Sequence, residues 1–335
     1  MVGKKNVKKR MVALVVAGLF LVGCSSAPAS EGAKKENTIQ IGITQIVEHP
    51  ALDAARNGFV DALESKGFKD GEKVEIEFQN AQGDMTTTQT IAQKFVSEKK
   101  DMILAIATPS AQSAFNATKE IPIIVTAVTD PVAAGLVKTM EKPDTNVTGT
   151  SDAAPIDKQF KLLKRLIPDA KKVGILYNTS ETNSEIQIKR AKKIAKEFDI
   201  EIITSGVTSV NEIPQSLQSI IGKIDVLYVP TDNMIASAMP LVSAKCTEEN
   251  IPIIGAEKAH VENGALATEG IDYYKLGFQT GITAVEVLNG KEPKDLPITT
   301  LKNTQLVINE EVAKKLKIEI PKEIKENAQL IKGGE

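Results

Sequence analysis

Two Rossmann-like lobes, each a parallel sheet flanked by helices, form the α/β fold class that this sequence predicts. Three observations carry the expectation. Short β-branched runs alternate with segments of helical period from residue 38 onward, the pattern of βα units whose strands run parallel. The rhythm restarts after a Pro- and Gly-bearing crossover at 142–150. The 335 residues, 42% apolar with 41 basic against 43 acidic side chains, suit about two globular domains and exclude a disordered chain.

Taken in order, the first lobe draws strands from 39–44, 74–79, 102–107 and 123–127, with helices at 51–65, 86–98 and 111–117 between them. Asp84 stands where the second helix needs an N-cap. The second lobe follows with helices at 155–167, 182–198, 211–222 and 232–249 and strands at 173–177, 200–206, 226–229 and 253–255. A strand at 266–270, a helix at 273–288, a strand at 305–309 and a final helix are too little chain for a third domain. They are expected to pack back on the first two, so that several linkers cross between the lobes as a hinge. The division is then 38–150 with about 271–302 in lobe 1, and 151–270 with about 303–335 in lobe 2. The halves echo one another in letters: 101–108 leads to Ile121-Pro122-Ile123-Ile124, and 225–231 leads to Ile251-Pro252-Ile253-Ile254. The spacings differ, so this is pseudo-repetition of structure at best.

The N-terminus reads as a secretion signal: Lys4, Lys5, Lys8, Lys9 and Arg10, an apolar run at 11–22, then Gly23 and Cys24. That run falls short of the ~20 residues a membrane span requires. Leu21-Val22-Gly23-Cys24 resembles the bacterial lipobox, in which the cysteine receives a diacylglyceryl group and becomes the first residue of the mature chain. Loss of 1–23, which holds five of the 41 basic side chains and none of the 43 acidic ones, shifts the net charge from −2 to −7. An acidic, monomeric body would hang from the outer face of the cell membrane by lipidated Cys24 and a tether at 24–37. The other cysteine, Cys246, lies in a helical context and is expected to be buried and inert; two cysteines make neither a disulfide framework nor a four-ligand zinc site. With no Trp, nine Phe and four Tyr, a nucleic-acid platform of basic aromatic patches is not expected.

Ligands of doubly wound sheets bind beyond the carboxyl ends of the strands, where helix N-termini offer unpaired N–H groups. Two facing lobes would make a cleft lined by 44–50, 80–85, 108–110 and 126–131 from one side and 177–184, 230–233 and 255–260 from the other. Thr108 and Ser110 begin a helix there; with backbone N–H groups their hydroxyls suit a carboxylate or phosphate, unless they only cap the helix. Asn178, Glu181, Asn183 and Ser184 form a polar loop that either touches ligand or makes an ordinary turn. Asp232, between Thr231 and Asn233 after a buried strand, is the carboxylate best placed to meet an ammonium, because a desolvated carboxylate needs a counter-charge or strong donors. Its alternative is an N-cap. Gln45, Glu48 beside His49, Asp130, Glu257 and Asp272 are secondary candidates, the two aspartates suiting turn or hinge positions.

Catalytic chemistry finds little support. His49 and His260 are the only histidines and do not form H-E-x-x-H; G-x-S-x-G, G-x-G-x-x-G and the P-loop pattern are absent from the sequence. No enzyme, metal or cofactor is expected.

Seven ordered motifs carry a resemblance across almost the whole mature chain: Glu48-His49-Pro50-Ala51-Leu52-Asp53, Asn80-Ala81-Gln82-Gly83-Asp84, Ala105-Ile106-Ala107-Thr108-Pro109, Thr126-Ala127-Val128-Thr129-Asp130-Pro131, Asn146-Val147-Thr148-Gly149, Val229-Pro230-Thr231-Asp232-Asn233 and Ile271-Asp272-Tyr273-Tyr274. Together they resemble the tryptophan/tyrosine-type substrate-binding proteins of ABC transporters. The resemblance implies a periplasmic-binding-protein fold of the first type, with lobes joined by three crossovers and closing on an amino acid, aromatic by the type named. It implies that Thr108, Ser110 and Thr126 hold the α-carboxylate and that Asp232 and Asn233 take the α-ammonium. It implies as partners a membrane permease and a separate ATPase, with no cofactor. Three rivals stand beside it: the same fold binding a sugar, nucleoside or other small solute; a surface α/β hydrolase; and a purely structural cell-wall lipoprotein. The scarcity of loop aromatics disfavours the sugar, and polar loops on both sides of a cleft disfavour the structural role.

Overall fold

The computed structural model describes residues 38–332; the signal at 1–23, Cys24 and the tether to residue 37 lie outside the described residues. The first lobe winds through β1 (Ile39–Gln45), α1 (Pro50–Ser65), β2 (Val74–Asn80), α2 (Met85–Ser97), β3 (Met102–Ile106), α3 (Thr108–Ala117), β4 (Ile123–Val128) and β5 (Val147–Ser151). The second takes α4 (Ile156–Leu166), β6 (Lys172–Asn178), α5 (Thr182–Ile194), β7 (Glu201–Val207), α6 (Ile213–Ile221), β8 (Val226–Val229), α7 (Asn233–Ser237), α8 (Met239–Glu248), β9 (Ile253–Gly255), α9 (Lys258–Glu262) and β10 (Ala267–Gly270). The chain ends through α10 (Tyr273–Leu288), β11 (Thr299–Thr300), β12 (Gln305–Asn309), α11 (Glu310–Lys315), α12 (Lys322–Asn327) and β13 (Gln329–Ile331).

One sheet has the order β11-β5-β4-β3-β1-β2 and the other β13-β12-β10-β9-β8-β6-β7. All pairings are parallel except β10 with β12. Buried on both faces, the central strands are continuous apolar runs, such as Met102-Ile103-Leu104-Ala105-Ile106 in β3. The chain passes between the sheets three times: from β5 to α4, from β10 to α10, and from β11 to β12.

β5 replaces part of the crossover expected at 142–150. Its sequence, Val-Thr-Gly-Thr-Ser, lacks a bulky apolar stripe because it lies against β4 at a bulge between Val125 and Val128. Gly149 sits at φ +137, and a Cβ there would stand 2.1 Å from the Val125 carbonyl oxygen. The helix expected at 232–249 is broken: Pro240 cannot donate within a helix, so α7 stops at Ser237 and α8 restarts at Met239. The helix expected at 182–198 is α-helical only to Ile194, followed by a 3₁₀ turn that Asp199 ends in the left-handed region. α9, β11 and β13 are too short for sequence periodicity to reveal them. Cys246 is fully buried, and burial pushes its thiol up to about 12, an inert side chain as expected. Among the described residues no helix is long and apolar enough to cross a membrane.

Candidate functional site: the interlobe cleft

The carboxyl ends of both sheets face each other and meet. Thr129 Oγ1 lies 3.4 Å from Thr231 Oγ1, Thr182 donates to Gln112 Oε1 at 3.4 Å, and Arg190 of α5 pairs with Asp130 at 2.5 Å. On the first lobe the backbone is strained where it enters this region. Ala107 has φ +73 and ψ +158 at the end of β3, and Ala127 has φ +55 in β4, conformations an L-residue keeps only when its surroundings enforce them. Ala107 is the N-cap of α3 and offers no side-chain cap. Thr108 Oγ1 and Ser110 Oγ in the first turn are buried without a hydrogen-bond partner among the described residues. They do not cap the helix. The positive end of the α3 dipole lies at the same place.

The second lobe contributes a buried polar network. Asp232 is fully buried; Oδ2 accepts from the Asn178 backbone N–H at 2.6 Å and Ser184 Oγ at 2.7 Å, and Oδ1 from the Ile235 N–H at 3.0 Å, capping α7. Burial and the neighbouring Glu181 carboxylate push its pKa up to about 7. Glu181 accepts from Asn178, Asn183, Asn233 and the Met234 N–H. Thr231 is tied to Gln187 and Thr129. The residues expected from this loop cluster are therefore brought together, with both Asp232 oxygens engaged by hydrogen bonds within the lobe.

Two further buried carboxylates lie nearer the hinge. Glu257 precedes α9, and its Oε1 is 3.1 Å from His260 Nε2 and 4.0 Å from His49 Nδ1 of the opposite lobe, outside hydrogen-bond geometry in both cases. Asp152, just after β5, accepts from the Tyr273 hydroxyl at 2.7 Å through Oδ2, while Oδ1 has no partner among the described residues; Tyr273 also faces Glu257. All five side chains are buried. Burial pushes Asp152 up to about 6. Burial also pushes Glu257 upward, but the two imidazoles beside it hold its carboxyl below the usual range. His49 is pulled below the ordinary imidazole value, chiefly by its own desolvation.

Several expected residues point elsewhere. Thr126 turns into the layer under α10, its hydroxyl 3.3 Å from Thr150, which in turn bonds Thr280 at 2.7 Å. Gln45 bonds Val47, Asp53 and Arg56 within lobe 1. Glu48 is exposed. Asp272 caps α10 and receives Gln305, and Asp130 caps a turn besides pairing with Arg190. Thr44, His49, Asp152 and His260 carry unpartnered buried atoms and were not among the site residues expected. Asp152 was hidden because the strand it follows was hidden. His49 reads in sequence as an ordinary helix-start residue beside Pro50.

Residues 40–332 match the family model described as ABC transporter substrate binding protein. This chain belongs to that family. Among its relatives, the tyrosine-binding protein of Clostridioides difficile (strain R20291) is 52% identical over 98% of this chain and 97% of its own. A family structure from Streptococcus pneumonia in complex with L-Trp is 39% identical, covers 88% of this chain and all of that one, and superposes with a TM-score of 0.86. A ligand-free, open substrate-binding protein with adhesive properties from Clostridium difficile is 56% identical over the same share, yet superposes at only 0.68. As a family member, the chain works outside the cytoplasm as a binder, not an enzyme.

Proposed function

We propose that this chain captures an aromatic amino acid between its lobes and delivers it to a membrane permease driven by a separate ATPase, working as a monomer held to the cell surface through lipid on Cys24. The observation that carries the ligand class is the set of buried polar atoms without partners in the segments that follow strands of both sheets. Thr108 Oγ1, Ser110 Oγ and the start of α3 suit an α-carboxylate, and Glu257 Oε1 and Asp152 Oδ1 suit an α-ammonium. The ammonium is thereby assigned to Glu257 and Asp152 in place of Asp232, whose oxygens already accept three protein hydrogen bonds. Asn178, Glu181, Ser184, Thr231 and Asn233 then shape the second wall and hold Asn183. The tyrosine-binding protein and the L-Trp complex among the relatives support an aromatic amino acid.

Ligand contacts made to both lobes at once favour the closed arrangement over the open one, and release returns it. The test is thermal unfolding of the soluble body from Ser25 onward with all twenty amino acids, a sugar panel and nucleosides. A true ligand at 100 to 1,000 times its Kd stabilises by about 3–4 kcal/mol. A shift with sugars or nucleosides alone would reject the amino-acid assignment. In calorimetry, Thr108→Val and Ser110→Ala should each cost about 1–3 kcal/mol of binding free energy, since each removes a donor to a charged carboxylate; unchanged affinity in both would move the carboxylate elsewhere.

A further inference from the structure

We infer that Asn183 reads a polar hydrogen on the ligand's side chain, and so selects an aromatic amino acid bearing a ring O–H or N–H over phenylalanine. This rests on the amino-acid reading above and names its specificity-determining contact. Asn183, the second residue of α5, is 2% exposed. Its Nδ2 donates to Glu181 Oε2 at 3.0 Å and to the Thr231 carbonyl at 3.0 Å, with Ser184 Oγ at 3.4 Å. Its Oδ1 has no partner among the described residues.

That orientation cannot invert. Rotating the amide would press Oδ1 against a carboxylate and a carbonyl, both acceptors, so Oδ1 is held on the side away from Glu181 and Thr231 and is left free to accept. Glu181 cannot swing away to permit it, because Asn178 Nδ2 and the Met234 N–H hold Oε1 at 3.2 Å each, and the Asn233 N–H holds Oε2 at 3.2 Å. Asn183 also sits where the lobes meet. Thr182 beside it bonds Gln112 of α3, and Thr231, which receives its amide, faces Thr129.

Three parts of an amino acid compete for this acceptor. The α-carboxylate is itself an acceptor and cannot face Oδ1. The α-ammonium is a cation and is drawn to Asp152 and Glu257, buried carboxylates with an oxygen left over, rather than to an amide backed by carboxylates whose oxygens are engaged. The side chain remains. A buried acceptor that the ligand leaves unpaired penalises that ligand, which is how sites reject an analogue lacking a hydroxyl or N–H.

The experiment is calorimetry of L-tyrosine, L-tryptophan and L-phenylalanine on the wild-type soluble body and on Asn183→Ala. Wild type should bind tyrosine or tryptophan about tenfold or more tighter than phenylalanine. Asn183→Ala should erase that gap by weakening the tighter ligand while phenylalanine stays within about twofold. An equal loss for all three would assign Asn183 to the zwitterion and overturn the inference, as would no loss at all. If the variant does not fold, wild type with L-4-fluorophenylalanine decides, because fluorine nearly fills the hydroxyl's space but donates nothing. Affinity matching phenylalanine supports the inference, and affinity matching tyrosine overturns it. Wild type that binds none of the twenty amino acids would sink the amino-acid reading itself, and this contact with it.

Discussion

On the proposed binding role, Asp152 acts on binding and on stability in opposite senses. Its folded pKa of about 6 lies above the ordinary 3.8, so the folded chain takes up a proton there before the unfolded chain does. Stability from this group therefore rises as pH falls from above 6 towards 3.8, and above 6 the buried charge is held at full cost. Asp152→Asn keeps an acceptor for the Tyr273 hydroxyl and removes that charge. It should stabilise the ligand-free body by about 1–3 kcal/mol near pH 8 and by almost nothing near pH 4, while weakening amino-acid binding. A pH series of melting curves with calorimetry at neutral pH checks both halves; a variant less stable than wild type at high pH would refute the burial cost. Sequence marked Thr108, Ser110, Asn183 and Glu257 as candidates, because hydroxyls, amides and carboxylates after strands suit a site, and the structure leaves an atom of each without a partner among the described residues. Sequence could not separate them from Asp232 or Thr126, because only packing decides whether a side chain's lone pairs are already used.

At the scale of elements, α10 leaves the hinge and lies along α1 with glycines at the crossing. A Cβ on Gly277 would stand 1.8 Å from the Ala55 carbonyl oxygen, and one on Gly58 2.1 Å from that of Tyr274. Gly277→Ala gains about 1 kcal/mol of helix propensity but must push two helices apart, so a net loss of about 1–3 kcal/mol is expected. Chemical denaturation measures it, and a stabilised variant would mean the helices separate freely. The strands of β-branched runs and the long helices were readable because period and burial agree there. β5 was not, because Gly149 and two threonines suit a tight backbone approach rather than an apolar stripe.

Across the whole molecule, the Arg190–Asp130 pair bridges the lobes at the cleft rim, with Arg190 41% exposed and Asp130 21%. Exposed pairs contribute under about 1 kcal/mol, so it tunes the closed state and does not create it. Arg190→Ala should weaken ligand binding by about fivefold at most, mainly through faster release, and should reduce the salt dependence of that release. Stopped-flow dissociation at two ionic strengths tests this; identical rates and salt response in the variant would mean that the pair does not act as a latch. The pair stands beside the other contacts between the lobes, Thr129 with Thr231 and Thr182 with Gln112.

Alternation of β-branched and helical-period segments, and its restart after residue 150, determined the two-lobe α/β architecture, since strand and helix periods are local properties of the chain. Tertiary structure alone decided which polar groups in the cleft are spent on the protein and which are spare. Asp232 and Glu257 are both buried carboxylates after strands of the same sheet, and no local pattern distinguishes them. The first accepts three hydrogen bonds from its own lobe, two of them from Asn178 and Ser184, which are distant in sequence and which only folding brings near, and the second keeps an oxygen without one.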